Sequence, residues 1–136
     1  MNEKLNNQFV PYELSLQLKE LGFDEPCLYA YDKNEMLYCG SNQNGTLFCI
    51  LNSNLSTQCA APLWQQAFNW FKEKYKLYVT TTPIIWSYDT MELAFKLHIA
   101  HIKESNEIVC SETYLEEDLQ LSILKQLIRC KENLNL

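Results

Sequence analysis

Between Pro62 and Tyr75 the apolar residues Trp64, Ala67, Phe68, Phe71 and Tyr75 recur at i, i+3, i+4, i+7 and i+11. That spacing gathers side chains on one stripe of an α-helix. Gln65, Gln66, Asn69, Lys72 and Glu73 fall on the other side. Pro62 suits the first helical position, where a missing N–H breaks no hydrogen bond, so the pattern predicts a helix over about 62–75. Trp70 stands off the main stripe. Either it packs under a neighbouring loop, or it marks a partner-binding edge, because interfaces favour aromatic anchors.

Upstream, Leu14, Leu18 and Leu21 form the inner stripe of a helix over about 11–21, stopped by Gly22. A three-stranded meander follows at about 27–32, 36–41 and 46–51. Its turns are Asp32-Lys33-Asn34-Glu35 and Asn44-Gly45, the second being the strongest short hairpin signal in the chain. With Lys33-Asn34 and Asn44-Gly45 as two-residue loops, Ala30 lies opposite Leu37 and Leu28 opposite Cys39. One face then carries Leu28, Ala30, Leu37, Cys39, Phe48 and Ile50. The other collects Tyr29, Tyr31, Met36, Tyr38, Leu47 and Cys49. Two readings of this tyrosine face stand: a helix covers it with the hydroxyls at its rim, or it is an open groove for a ligand or protein.

Downstream, residues 77–82 and 83–88 read as strands, the second an edge strand because Pro83 cannot donate to a ladder. The stretch 91–102 fits either strand or helix, and it holds the only histidines, His98 and His101. On a helix the pair could share a metal; on a strand they point to opposite faces. The large apolar alternation around Phe95, Leu97 and Ile99 favours a strand. A short strand over 107–110 leads to Thr113 and Glu116, a capping box for a helix over about 114–131. On that helix Leu115, Leu119, Ile123, Leu127 and Cys130 line one stripe, and Leu121, Leu124 and Ile128 another. A helix apolar on two sides is either enclosed in the core or pairs with another chain.

These elements make an α+β fold with antiparallel sheets, three main helices and the order α-β-β-β-α-β-(β)-β-β-α. The length of 136 residues suits one domain over 9–132 behind a polar, disordered tail at 1–8. The net charge of −6, with 17 acidic residues against 11 lysines and arginines, opposes binding to a phosphate backbone. From 62 onward the element order is similar to that of double-stranded-RNA-binding domains, but those grip phosphates with lysines where this chain has Glu116, Glu117 and Asp118. No signal peptide or membrane-length apolar run is evident, which points to the cytoplasm. The six cysteines include no C-x-x-C pair and read mostly as buried thiols rather than as disulfides or zinc ligands.

Phe9-Val10-Pro11-Tyr12-Glu13, continued by Leu18 to Cys27, together with Ala61 to Tyr75, resembles a family of small proteins encoded by phages and integrated elements of Bacteroides-like bacteria. The resemblance covers most of 9–132. At the last helix such proteins tend to read Tyr-Glu-Glu-Ala, where this chain has Tyr114-Leu115-Glu116-Glu117-Asp118. The family has no assigned activity, so it implies a genomic setting without a mechanism.

No P-loop, G-x-S-x-G or H-E-x-x-H motif occurs, and the carboxylates Asp24, Glu25, Asp32, Asp89 and Glu92 form no pair with diagnostic spacing. No catalytic residue, metal ligand or cofactor is assigned. The expectation is a small acidic cytoplasmic interaction protein of phage or mobile-element origin that modulates a host protein or defence system. Its candidate surfaces are Tyr29, Tyr31, Tyr38, Trp70, Leu121, Leu124 and Ile128, and its expected partner is a host protein or a second copy, not nucleic acid or membrane. The alternative is a domain binding a small ligand such as a nucleotide; a hydrolytic enzyme is the lesser reading.

Overall fold

The computed structural model describes residues 3–102, 106–115 and 119–136. The described residues form an α+β fold of four α-helices and two three-stranded antiparallel sheets. Residue contacts separate two compact units, Met1–Ala67 and Phe68–Leu136.

The first unit contains α1 (Glu3–Asn6), α2 (Tyr12–Glu20), β1 (Tyr29–Tyr31), β2 (Leu37–Cys39), a 3-10 turn (Asn52–Asn54) and β3 (Cys59–Ala61). Its sheet order is β2-β1-β3. The expected third strand at 46–51 is replaced by two isolated bridges, Ser41 to Leu47 and Cys27 to Ile50. β1 is the central strand, pairing with β2 on one side and with β3 on the other. Cys59, Ala60 and Ala61 are small and at most 1% exposed, so the strand is recognisable by size rather than by alternation. Gly40 lets the 46–50 segment come close: a Cβ there would collide with the Phe48 carbonyl.

The pairing differs from the expected one by a single residue. Tyr29 pairs with Cys39, Ala30 with Tyr38 and Tyr31 with Leu37. The loop has three residues, Lys33 to Glu35. Asp32 Oδ1 accepts the backbone N–H groups of Asn34 (2.7 Å) and Met36 (3.1 Å), and Glu35 takes a left-handed φ of 63°. Asn42 repeats the device, its Oδ1 accepting from Asn44 and Thr46, with Gly45 at φ 77°. A three-residue hairpin loop with its last residue left-handed is the common alternative to a two-residue turn. A one-residue slip moves side chains to the other face, so Tyr38 joins Ala30 and Ala60, while Tyr29 and Tyr31 join Leu37, Cys39, Cys59 and Ala61.

Polar bonds fasten this unit. Asn52 is buried; its Nδ2 donates to the Phe23 carbonyl (2.7 Å) and its Oδ1 accepts from the Ala60 N–H (2.8 Å). The Lys19 ammonium donates to the carbonyls of Leu55, Ser56 and Gln58. α3 runs Trp64–Tyr75, two residues later than Pro62 suggests. Gln66, in its first turn, takes the N-terminal role: its Oε1 accepts from Leu63 N–H (3.1 Å) and its Nε2 donates to the Pro26 carbonyl (2.8 Å).

The second unit holds β4 (Leu77–Ser87), β5 (Glu92–Ile102), β6 (Asn106–Leu115) and α4 (Leu119–Asn133), with sheet order β4-β5-β6. The stretch 91–102 is therefore a strand, and His98 and His101, three residues apart, lie on opposite faces. Pro83 does lie on an edge strand, paired with Phe95. Thr113 is inside β6, opposite Lys96. The expected capping box is thus not formed from it, and Glu116 to Asp118 lie outside the described residues. β6 is longer than the expected 107–110 because residues 110–115 continue the ladder beside β5, which delays the helix to Leu119.

Two outcomes are expected. Asn52→Ala leaves a buried carbonyl and a buried N–H unpaired, and lowers unfolding free energy by about 2–3 kcal/mol in urea titration. Glu35→Gly removes the left-handed penalty and raises it by about 0.5–1 kcal/mol.

Candidate functional site

The seven residues singled out from sequence are not brought together. Tyr31 is 7% exposed, and its hydroxyl donates to the Val10 carbonyl at 2.7 Å. Phe9 packs on Tyr29 with ring centroids 4.8 Å apart, and Tyr12 meets Tyr31 edge-on at 5.7 Å. The part of the expected face that carries Tyr29 and Tyr31 is therefore covered by the start of the chain and α2, as in the helix-covered reading, whereas Met36, Leu47 and Cys49 are exposed. Tyr38 faces the other way and donates to Gln58 Oε1 at 2.7 Å.

Trp70 is buried in an aromatic cluster, edge-to-face with Phe71 (5.1 Å) and Tyr75 (5.3 Å). The Lys74 ammonium lies 5.0 Å from its ring centroid. It is a core residue and not an exposed anchor. Leu124 and Ile128 are also buried, with exposures of 0% and 6%, and Leu121 is half-buried. At 100° per residue they extend the arc of Ile123, Leu127 and Cys130 into one broad buried face. The proposed exposed surface on this helix is corrected accordingly.

In the first unit Leu28, Met36, Leu47 and Phe48 are 50–61% exposed, and a further exposed group lies in the second unit. At the outer end of the β4–β5 hairpin, Tyr88 is 79% and Met91 66% exposed, and Met91 has a left-handed φ of 54°. Ile85 and Leu93, directly paired below them, are also exposed. The sequence signal was available as five large apolar residues within 85–93 (Ile85, Trp86, Tyr88, Met91 and Leu93), but a strand reading assigns such residues to the core.

The second feature is a cleft of about 270 Å³ between β6 and α4. Cys110, Ser111 and Glu112 line one wall; Gln126, Arg129, Cys130 and Asn133 line the other. The four helical residues are spaced i, i+3, i+4 and i+7, one stripe of α4. Gln126 joins the walls: its Nε2 donates to the Tyr114 hydroxyl at 2.9 Å, and its Oε1 faces the Cys110 thiol at 3.8 Å. Burial pushes Cys110 up, with Glu112 adding to the rise and Arg129 opposing it. Burial pushes Cys130 up to about 11, with Cys110 raising it further and Arg129 opposing. Sequence reasoning missed this cleft because its walls are far apart along the chain; the one available signal was that Arg129 is the sole arginine.

All six cysteines are unpaired; Cys27, Cys59 and Cys130 are buried, and Cys49 is exposed. Among the described residues no group of three or more His, Cys, Asp or Glu side chains is placed to hold a metal ion. Among them, too, no helix is long and apolar enough to cross a membrane. No protein-family model, curated protein or solved structure matches the chain.

The thiols yield a pH prediction. Burial pushes Cys27 up to about 12 and Cys59 up to about 11. A thiol with a folded pKa above its unfolded value keeps its proton in the native state after the unfolded chain has lost it. The native state then binds more protons, and stability falls as pH rises from the ordinary thiol range toward 12. The urea midpoint is expected to be lower at about pH 10.5 than at about pH 7.5, and Cys49 to react with a thiol reagent before the buried three do.

Proposed function

We propose that this chain is a small acidic interaction protein of phage or mobile-element origin that acts in the host cytoplasm by binding and modulating a host protein. The observation that carries this reading is the outer end of the β4–β5 hairpin. Ile85, Tyr88, Met91 and Leu93 are all at least 41% exposed within one nine-residue segment. A tyrosine and a methionine at a projecting tip supply large contact area, and both residue types are enriched at interfaces. Isolated exposed apolar residues are ordinary, whereas a contiguous group points to a contact surface.

The charge supports a protein partner over nucleic acid, since a net −6 repels phosphates. The small-ligand alternative loses its tyrosine groove to α2. The cleft between β6 and α4, at about 270 Å³, lies just under the roughly 300–1,000 Å³ common for small-molecule pockets.

The test is co-purification from a Bacteroides-like host, comparing the tagged protein with Tyr88→Ser/Met91→Ser. Both residues are exposed, so the variant is expected to melt within about 2 °C of the parent. A specific host protein is expected with the parent and is expected to be lost with the variant. Equal recovery by both would remove the hairpin end as the binding surface. Recovery of the chain alone, with a dimer mass in light scattering, would replace the host protein by a second copy.

A further inference from the structure

The cleft between β6 and α4 is touched by three successive strand residues, Cys110, Ser111 and Glu112. Successive side chains on a strand point to opposite faces; Cys110 and Tyr114 face Gln126 of α4, so a cleft that also touches Ser111 reaches the backbone of β6. Among the described residues the outer edge of β6 is free within the sheet, since β6 pairs with β5 alone in the order β4-β5-β6. An unpaired strand edge presents a row of backbone N–H and C=O groups, a template for one more strand. Along the opposite wall run Gln126, Arg129 and Asn133 of α4, with the buried Cys130 between them.

The two outer edges of this sheet are not equivalent. β4 carries Pro83, which has no N–H to donate, and a register break between Ile85 and Ser87. Both features blunt an edge. In β6 the register break lies opposite Ile99 and Ala100, and beyond it residues 110–115 pair without interruption and contain no proline. The regular part of the open edge is the part that borders the cleft.

From this arrangement the geometry points to a peptide-binding groove: an extended segment of a partner protein adds beside β6 as a fourth strand, with a carboxylate of that segment seated on Arg129. An edge strand facing a helix across a groove is a recurring way of capturing extended peptides, with main-chain bonds supplying affinity and the groove wall supplying selection. Arg129 is the sole arginine in an acidic chain; it is exposed at the cleft and flanked on its stripe by the amides of Gln126 and Asn133. A guanidinium with its planar fork of donors matches a carboxylate bidentately. Glu112, exposed on the facing wall, disfavours a second acid beside it. This groove is a different surface from the hairpin end and stands whether or not that end binds a partner.

The carboxylate can belong to a chain terminus or to an Asp or Glu side chain, and the probes separate the two. Fluorescently labelled peptides of alternating Thr and Val are titrated into the full chain in three forms: free C-terminal carboxylate, C-terminal amide, and C-terminal amide with one internal Asp. A fourth form repeats the first with N-methylated backbone amides. One of the two carboxylate-bearing peptides is expected to bind at least roughly tenfold more tightly than the plain amide, the worth of a charge-assisted pair. Which of the two binds identifies the source. Arg129→Gln, a change at an exposed side chain, is expected to abolish that difference, and N-methylation to abolish binding.

Amide hydrogen exchange is expected to slow over 110–115 on peptide addition. The proposal is overturned if neither carboxylate peptide binds up to about 1 mM. It is equally overturned if all three unmethylated forms bind alike, if the N-methylated peptide binds as well as its parent, or if protection appears along β4 instead.

Discussion

The first unit depends on one carboxylate. Asp32 Oδ1 accepts two backbone N–H groups across a three-residue loop, and so decides between two hairpin registers that the same chain length permits. In the register it selects, Tyr31 shares a face with Leu37 and Cys59 and points at α2. The Tyr31 hydroxyl then reaches the Val10 carbonyl, which also accepts from Ser15 Oγ, while the Val10 N–H donates to Pro62. In the other register Tyr38 would stand on that face, and its bond to Gln58 would be lost. A surface-exposed turn thereby determines what is buried some distance from it.

This also explains what the sequence could and could not disclose. The fold class, the helices around 12–20 and 64–75 and the edge position of Pro83 were legible, because each rests on a local period or on the chemistry of one residue. The register was not. Glutamate rarely adopts the left-handed conformation that Glu35 takes here, so Asp32 to Glu35 reads as a two-residue turn until the side-chain bonds are seen. β3 was hidden for a related reason: Cys59-Ala60-Ala61 has no alternation, and its value to the sheet is that small side chains let elements approach closely.

For the candidate surfaces, composition misled where geometry decides. Trp70 off the stripe of α3, and a second apolar stripe on α4, both suggest exposed anchors. Yet Trp70 completes an aromatic cluster with Phe71 and Tyr75, and the two stripes of α4 merge into one wide buried face. Large apolar residues are left exposed instead at the β4–β5 hairpin end and, in the first unit, at Leu28, Met36, Leu47 and Phe48. The β6–α4 cleft was illegible for another reason: it is assembled by a sheet edge and a helix flank, and neither has a sequence period.

The unequal edges of the β4-β5-β6 sheet carry a consequence for assembly. Open β edges risk unlimited growth, because each added strand exposes a fresh one. Here Pro83 and the adjacent register break stand at the far side, so if β6 of one copy met β6 of another, both outer margins of the joined six-strand sheet would be β4. Such a contact is isologous and closes on itself. The proline that weakens one margin would therefore act as a chain terminator, limiting association through β6 to a finite complex and denying it the head-to-tail repetition from which fibres are built.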